Sequence, residues 1–276
     1  MFKAKLNDLI GKKNSLLCVG LDSDPDKIPR ILHRDPEPLL KFNQKIIEAT
    51  AEYAVAYKLN LAFYEVLGSA GWTLLEKTLQ WIPADAVTIA DAKRGDIGNT
   101  ARKYAETFFQ TYNFDAVTLS PYLGFDSIQP FLEFSEKCSF VICLTSNPGS
   151  TDFQYLAVGN QPLYQAVARK VRHWSRHSGN LGLVIGATRG QDIRTVRETA
   201  PDLPFLIPGI GAQGGNLREA VLFGTDAEGK NSLINISRSI IYAASDSGFA
   251  EAAARMAAQY RQEINQYREE KLGLKK

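Results

Sequence analysis

A single (β/α)8 barrel is the fold this sequence predicts, and three observations predict it. Short apolar, β-branched runs alternate with helix-period segments eight times along the chain. Several of those runs are hydrophobic without a break, such as Leu16-Leu17-Cys18-Val19 and Phe140-Val141-Ile142-Cys143-Leu144, as strands covered on both faces are. No Pro/Gly/Ser-rich linker divides the 276 residues. Eight units in one uninterrupted chain favour closure into a barrel, as a single domain, over a doubly wound open sheet.

Taken in order, residues 2–12 read as a short amphipathic helix without the apolar core of a signal peptide. Strands are expected at 16–22, 54–60, 87–93, 116–120, 140–146, 181–188, 205–210 and 232–238. Helices are expected at about 38–52, 69–82, 99–112, 126–137, 162–178, 190–200 and 214–223. A long final helix, about 249–271, carries the small apolar stripe Ala250, Ala253, Ala254 and Ala257, which suits close packing on a sheet. The longest irregular stretch, 147–161, follows the fifth strand, and a loop of that length in a compact domain is usually functional or disordered. Its start, Asn147-Pro148-Gly149-Ser150, and its aromatic Phe153 and Tyr155 fit a loop that closes over a ligand.

Composition removes several classes of function. With 45% hydrophobic and 22% charged residues the chain can bury a full core. The net charge is only +2, and no basic stripe with interleaved aromatics marks a nucleic-acid partner. The apolar runs are strand-length, well short of the roughly 20 residues a membrane span needs. Cys18, Cys138 and Cys143 form no Cys-x-x-Cys pair and read as small hydrophobes in a reducing, cytoplasmic setting. His173 and His177 have a spacing that can hold a metal, but no third ligand accompanies them. Lys170, Arg172 and Arg176 would repel a cation there, so a solvated basic helix face is the better reading.

In a barrel of this kind chemistry gathers where the strands end. The first strand ends Gly20-Leu21-Asp22, the second Tyr57-Lys58-Leu59-Asn60 and the third Asp91-Ala92-Lys93, with Asp96 in the Gly-containing turn beyond. Side chains two apart on a strand share a face, so Asp91 and Lys93 point the same way. Acid, base and acid-plus-base on three successive strands suit proton handling beside a bound anion. The seventh strand ends Pro208-Gly209-Ile210-Gly211-Ala212-Gln213-Gly214-Gly215, and the eighth ends Asn235-Ile236-Ser237-Arg238-Ser239. Gly209, Gly211, Gly214 and Gly215 allow backbone N–H groups to approach an anion at the start of a helix. Arg238 can add a bidentate contact, so these two ends read as a phosphate site. The Gly-x-Gly-x-x-Gly at 209–214 lacks the first-strand context of a dinucleotide fingerprint.

With those residues in place the chain resembles the orotidine 5′-phosphate decarboxylase family, its larger bacterial branch in particular. The resemblance spans nearly the whole chain and is most specific at Asp91-x-Lys93-x-x-Asp96-Ile97-Gly98-Asn99-Thr100. Leu21-Asp22, Lys58, Ser146-Asn147-Pro148-Gly149, the glycine run from Pro208 and Arg238-Ser239-Ile240 support it. The resemblance implies a homodimeric barrel, without metal or organic cofactor, that converts orotidine 5′-monophosphate to UMP and CO2. It implies that Lys93 stabilises and protonates a C6 carbanion and that Asp91 lies beside the departing carboxylate. Lys58 and Asp22 would hold ribose hydroxyls, while Asp96 and Thr100 would be supplied across the dimer interface. Ser146 would read the pyrimidine edge, Gln213 would bridge toward the phosphate, and Pro208 and Arg238 would complete substrate binding. Ser237 stands where many members have glycine, which bears on how closely backbone approaches the phosphate. Two other readings stay open: a magnesium-dependent sugar-phosphate decarboxylase or aldolase of the same barrel superfamily, and a phosphate-ligand sensor without catalysis.

Overall fold

The computed structural model describes residues 2–211 and 214–274. Eight parallel strands close on themselves: β1 Leu17–Gly20, β2 Ala56–Asn60, β3 Val87–Arg94, β4 Ala116–Leu119, β5 Cys138–Leu144, β6 Leu181–Ile185, β7 Phe205–Ile207 and β8 Ser232–Ile236. They neighbour one another in chain order, and β1 pairs with β8 to seal the ring. Each expected strand is present: β3 runs one residue further, β5 is displaced two residues toward the N-terminus, and the others are trimmed by one to three residues at their ends. Of the C-terminal residues so left out, Asp22, Ser146, Pro208, Gly209, Ser237 and Arg238 line the mouth.

The strands are apolar on both faces because the barrel interior and the outer helices both exclude water. Every residue of β1, β4, β6, β7 and β8 is buried. Outside them run α1 Phe2–Lys13, α2 Pro38–Thr50, α3 Ser69–Trp81, α4 Gly98–Glu106, α5 Phe125–Leu132, α6 Leu163–Ser178, α7 Gly190–Thr199, α8 Leu217–Gly224 and α9 Phe249–Lys271. Helix α4 continues into a π-helical turn, Thr107–Thr111, so the expected span to 112 holds as one rod with a change of pitch. Helix α5 stops at Leu132, short of the expected 137. Its interior Pro130 removes a backbone donor, and residues up to Lys137 form turns that lead into β5.

Helix α1 lies across the N-terminal end of the barrel. Phe2 packs edge-on against Phe140 of β5 at 5.9 Å, and Lys5 pairs with Asp115 just before β4. Helix α9 buries Phe249, Ala252, Ala253, Ala257 and Ile264; Ala250 and Ala254 of the expected stripe lie half-buried at its edge. Phe249 stacks on Phe42 of α2 at 5.4 Å, which ties the last helix to the first βα unit. Among the described residues no helix is long and apolar enough to cross a membrane.

The stretch 147–161 is more ordered than its composition suggests. It contains a helical turn, Ser150–Phe153, and the start of a two-stranded antiparallel pair, Ala157–Val158 with Gln161–Pro162. Gly159, at φ 63°, makes the turn between them.

Candidate active site

The strand ends converge on a cavity of about 590 Å3 at the C-terminal mouth of the barrel. Asp22, Lys58, Asp91, Lys93, Ser146, Pro208, Gly209, Ser237 and Arg238, all expected from the sequence, line it. Ile142, Leu144, Val184 and Leu206 give part of its remaining wall an apolar surface.

Those charges alternate. Lys58, 3% exposed, lies between two carboxylates: its Nζ is 3.0 Å from Asp91 Oδ2 and 3.5 Å from Asp22 Oδ1. Lys93 Nζ reaches Asp91 Oδ1 at 2.6 Å. Burial alone would lower the Lys58 pKa, but Asp22 and then Asp91 outweigh it and hold the ammonium above its ordinary value. Burial would likewise raise Asp91, but Lys58 and Lys93 hold it well below the usual carboxylate range. Both groups are therefore charged at neutral pH. Two acids and two bases leave the set formally neutral, which offsets the cost of burying Lys58 and most of Asp91, while the Lys93 side chain stays open to the cavity mouth.

Each charge is placed by its strand. The Leu21 N–H donates to Lys58 O at 2.9 Å, extending the β1–β2 ladder one residue and setting Asp22 at its end. The Tyr242 hydroxyl then donates to Asp22 O at 3.0 Å. Asp22 Oδ1 is buried and has no hydrogen-bond partner among the described residues, so an acceptor stands ready at the cavity edge. Ser146 Oγ is in the same condition, packed where a Cβ on Gly186 would come within 2.3 Å of it.

Lys93 has a left-handed backbone, φ 49°, which costs a non-glycine residue about 1–2 kcal/mol. The cause is local. Pairing between β3 and β4 runs Ala90 to Val117 and then jumps to Arg94 with Leu119, so Asp91, Ala92 and Lys93 bulge opposite the single residue Thr118. The Thr118 hydroxyl accepts from Lys93 N–H at 2.9 Å and donates to Asp91 Oδ1 at 3.1 Å.

The end expected to hold an anion is built from glycine. Gly209, Gly211 and Gly214 have φ of 103°, 76° and 75°, conformations that other residues adopt at a cost. Gly215 N–H donates to Gly209 O at 3.0 Å, folding the run back on itself. Among the described residues of this run, Pro208, Gly209 and Ile210 line the cavity, while Gly211, Gly214 and Gly215 shape the turn behind them. The turn leads into α8, where the Asn216 side chain accepts from Glu219 N–H as cap. Ser237 fits beside Gly20 of β1, where any Cβ would lie 1.8 Å from its Oγ. Room for the serine is thus provided by a neighbouring strand. Gln213 lies outside the described residues.

Asp96 and Thr100 do not line the cavity of their own chain. Asp96 is half-buried and accepts from the Ile97 N–H at 2.8 Å, while Thr100 is exposed on the first turn of α4. Within one chain the alternating set is therefore completed by Asp22, not Asp96. Asn60, Thr118 and Asn235 also line the cavity and were not expected. Asn60 had a signal, since it shares a strand face with Lys58, and Asn235 stood at the end of the eighth strand without an assigned role; Thr118 interrupts an apolar run and reads as core.

Comparison with known proteins agrees with this geometry. Residues 15–254 match the orotidine 5′-phosphate decarboxylase / HUMPS family. The orotidine 5′-phosphate decarboxylase of Dehalococcoides mccartyi strain CBDB1 is 49% identical over 271 residues, 97% of this chain and 98% of that protein. That of Christiangramia forsetii is 48% identical over 256 residues, 92% of this chain and 93% of its own length. Among solved structures, Leishmania donovani OMP decarboxylase superposes with a TM-score of 0.79 at 41% identity, covering 92% of this chain and 98% of that one. Leishmania donovani UMP synthase gives 0.85 at 42% identity, with 95% of this chain matching 56% of that longer one. An alternating charge array and a glycine-rich turn at one barrel mouth, with relatives matched over nearly their whole length, lead to one conclusion: this chain belongs to the orotidine 5′-phosphate decarboxylase family, whose members are carboxy-lyases.

Proposed function

We propose that this cavity decarboxylates orotidine 5′-monophosphate to UMP and CO2, the closing step of UMP synthesis, in the cytoplasm and as a homodimer. The observation that carries the reading is the Asp22–Lys58–Asp91–Lys93 array opposite Gly209 and Arg238 within one cavity. Arg238 and the backbone around Gly209 hold the phosphate, which sets the pyrimidine ring against Lys93. Asp22 and Lys58 take ribose hydroxyls, and Ser146 with its unpartnered Oγ takes the pyrimidine edge. When the C6–carboxylate bond breaks, its electron pair stays on C6 and CO2 departs past Asp91. No adjacent π-acceptor delocalises that pair, so a fixed ammonium must stabilise it, and preorganised charge in a dry site is effective at this. The pair then takes a proton from Lys93, which water restores after release. Gln213 would bridge toward the phosphate, and the loop 147–161 would close over the bound nucleotide. Remote phosphate contacts would drive that closure.

Asp96 and Thr100 serve the partner's cavity in this reading; the exposure of Thr100 on the first turn of α4, with Asp96 half-buried in the turn just before it, supports such a role. The magnesium-dependent alternative is disfavoured by Lys58, whose ammonium already pairs with Asp22 and Asp91, the carboxylates a divalent ion would need, and would repel that ion. Three buried cysteines without disulfides fit a reducing compartment.

Loss of orotidine monophosphate absorbance with and without chelator tests the activity; strict magnesium dependence would overturn the proposal. Lys93→Ala should lower turnover by at least about 10³-fold while UMP binding persists. Near-normal turnover would refute the role given to Lys93. Mixing inactive Asp96→Ala and Lys93→Ala proteins should restore activity through hybrid dimers holding one intact site. Subunit exchange without recovered activity would remove Asp96 from the shared site.

A further inference from the structure

Thr118 is the one β4 residue that faces the bulge of β3, and it has no ordinary reason to be polar. It is 1% exposed and lies between Val117 and Leu119, both fully buried. A hydroxyl in such a place must find partners or cost stability, and this one finds two on the same pair of residues. It accepts from the backbone N–H of Lys93 and donates to Oδ1 of Asp91, the oxygen that also holds Lys93 Nζ. The result is a closed ring of hydrogen bonds: Lys93 N–H to Thr118, Thr118 to Asp91, and Asp91 to the Lys93 ammonium.

Ladder pairing cannot supply this ring, because β3 and β4 are out of register between Ala90 and Arg94. Lys93 also sits in a left-handed conformation that its own side chain disfavours. Something must hold it there, and the Thr118 hydroxyl is the group hydrogen-bonded to that backbone. The same hydroxyl fixes the rotation of the Asp91 carboxylate by occupying one lone pair of Oδ1, which leaves Oδ2 directed at Lys58. One side chain thus sets the backbone of the amine and the orientation of its neighbouring acid.

We propose that Thr118 is a positioning residue for decarboxylation, locking the strained Lys93 backbone and the Asp91 carboxylate in one geometry. The inference rests on the roles proposed above for Lys93 and Asp91. Threonine is suited to the task because valine, its isostere, would keep the packing and delete only the hydroxyl. A displacement of about 1 Å at a reacting group can cost roughly 10²-fold in rate, so a loose ring should show as a loss in kcat and not as unfolding.

The experiment compares Thr118→Val, Thr118→Ser and Lys93→Ala by steady-state kinetics on orotidine monophosphate, with UMP affinity and circular dichroism measured alongside. T118V should fold and bind UMP as the native protein does, keep KM within about threefold and lose roughly 10²-fold in kcat. T118S, which retains the hydroxyl, should recover most of that loss. A T118V protein with native kcat, beside an inactive K93A, would overturn the positioning role and leave the lysine's role standing. A K93A protein with native turnover would overturn both. A T118S protein as impaired as T118V would show that packing, not the hydroxyl, matters, and would also overturn the proposal. If T118V does not fold, Thr118→Cys, whose S–H is a weak donor, replaces it in the comparison with T118S.

Discussion

Asp91 accepts from Lys58, Lys93 and Thr118 while nearly buried, so most of the site's electrostatics pass through one carboxylate. Its native pKa lies below the unfolded value of about 3.9. The stability it contributes is therefore present above about pH 4 and is lost as the pH falls through the depressed native value. Lys58 has the opposite sign: its pKa is raised, so its contribution is complete below about pH 10.4 and is lost at more alkaline pH. Asp91→Asn, a neutral isostere, should destabilise the protein by about 3–5 kcal/mol at pH 7, because it leaves a buried ammonium short of a partner. That difference should stay constant from pH 5 to 9 and shrink below about pH 4, where the aspartate of the unfolded chain takes up a proton that the native one does not; urea unfolding at several pH values measures it. The charged members of this set were legible because a Lys or Asp inside an apolar strand needs a reason. Thr118 was not, since a single neutral polar residue in Ala116-Val117-Thr118-Leu119 is indistinguishable from core until the bulge opposite it is seen.

The loop after β5 is held at both ends. Gln154 accepts from Thr145 N–H at 2.8 Å and donates to Thr145 Oγ1 at 2.8 Å, bracing the residue before Ser146. At the far end the Tyr155 and Tyr164 hydroxyls both donate to Asp192 of α7, Tyr164 at 2.8 Å. Burial, with Asp192 adding to it, pushes the Tyr164 phenol up to about 12, so it remains a donor at neutral pH. Arg189 lies over the Tyr155 ring at 4.6 Å, which joins this loop to the one after β6. Asp192→Asn should weaken two charge-assisted bonds of about 1.5–3 kcal/mol each in their native form. Amide exchange across residues 156–161 should then quicken by about 10- to 100-fold, and unchanged exchange would show that the latch is not what orders the loop. From sequence this segment reads as irregular, because its pairing is only two residues long. Its one cue was Gly159-Asn160, a turn dipeptide between Val158 and Gln161. The long helices and buried strands gave no such difficulty: their periods extend over enough residues to outweigh local exceptions.

Across the whole molecule the two ends of the barrel do different work. At the mouth, charges and left-handed residues store strain. At the opposite end Arg197 of α7, 8% exposed, acts as a staple. It donates to Gly224 O at 3.0 Å, Leu203 O at 2.7 Å and Asn231 O at 3.3 Å, and its guanidinium lies 3.4 Å over the Phe205 ring. Burial pulls its pKa down. These contacts tie α7 and α8 to the starts of β7 and β8, far from the chemistry. Arg197→Leu should leave several carbonyls without donors and cost at least about 3 kcal/mol, seen as a lower urea midpoint. Its kcat and KM at 25 °C should match the native protein, since β7 and β8 still deliver Pro208, Gly209 and Arg238 to the mouth. Impaired turnover in the folded variant would refute that division of labour. Closure itself was legible from eight repeats without a linker; the staple was not, because an arginine on an amphipathic helix such as α7 reads as solvent-facing.

Gly20 and Ser237 meet at the seam between the first and last strands, where there is space for one side chain but not two. The two positions should therefore vary together through descent. Relatives with glycine in place of Ser237 are free to carry alanine in place of Gly20, whereas those that keep the serine must keep the glycine. Exchanging both residues at once should be tolerated where adding a methyl at position 20 alone is not.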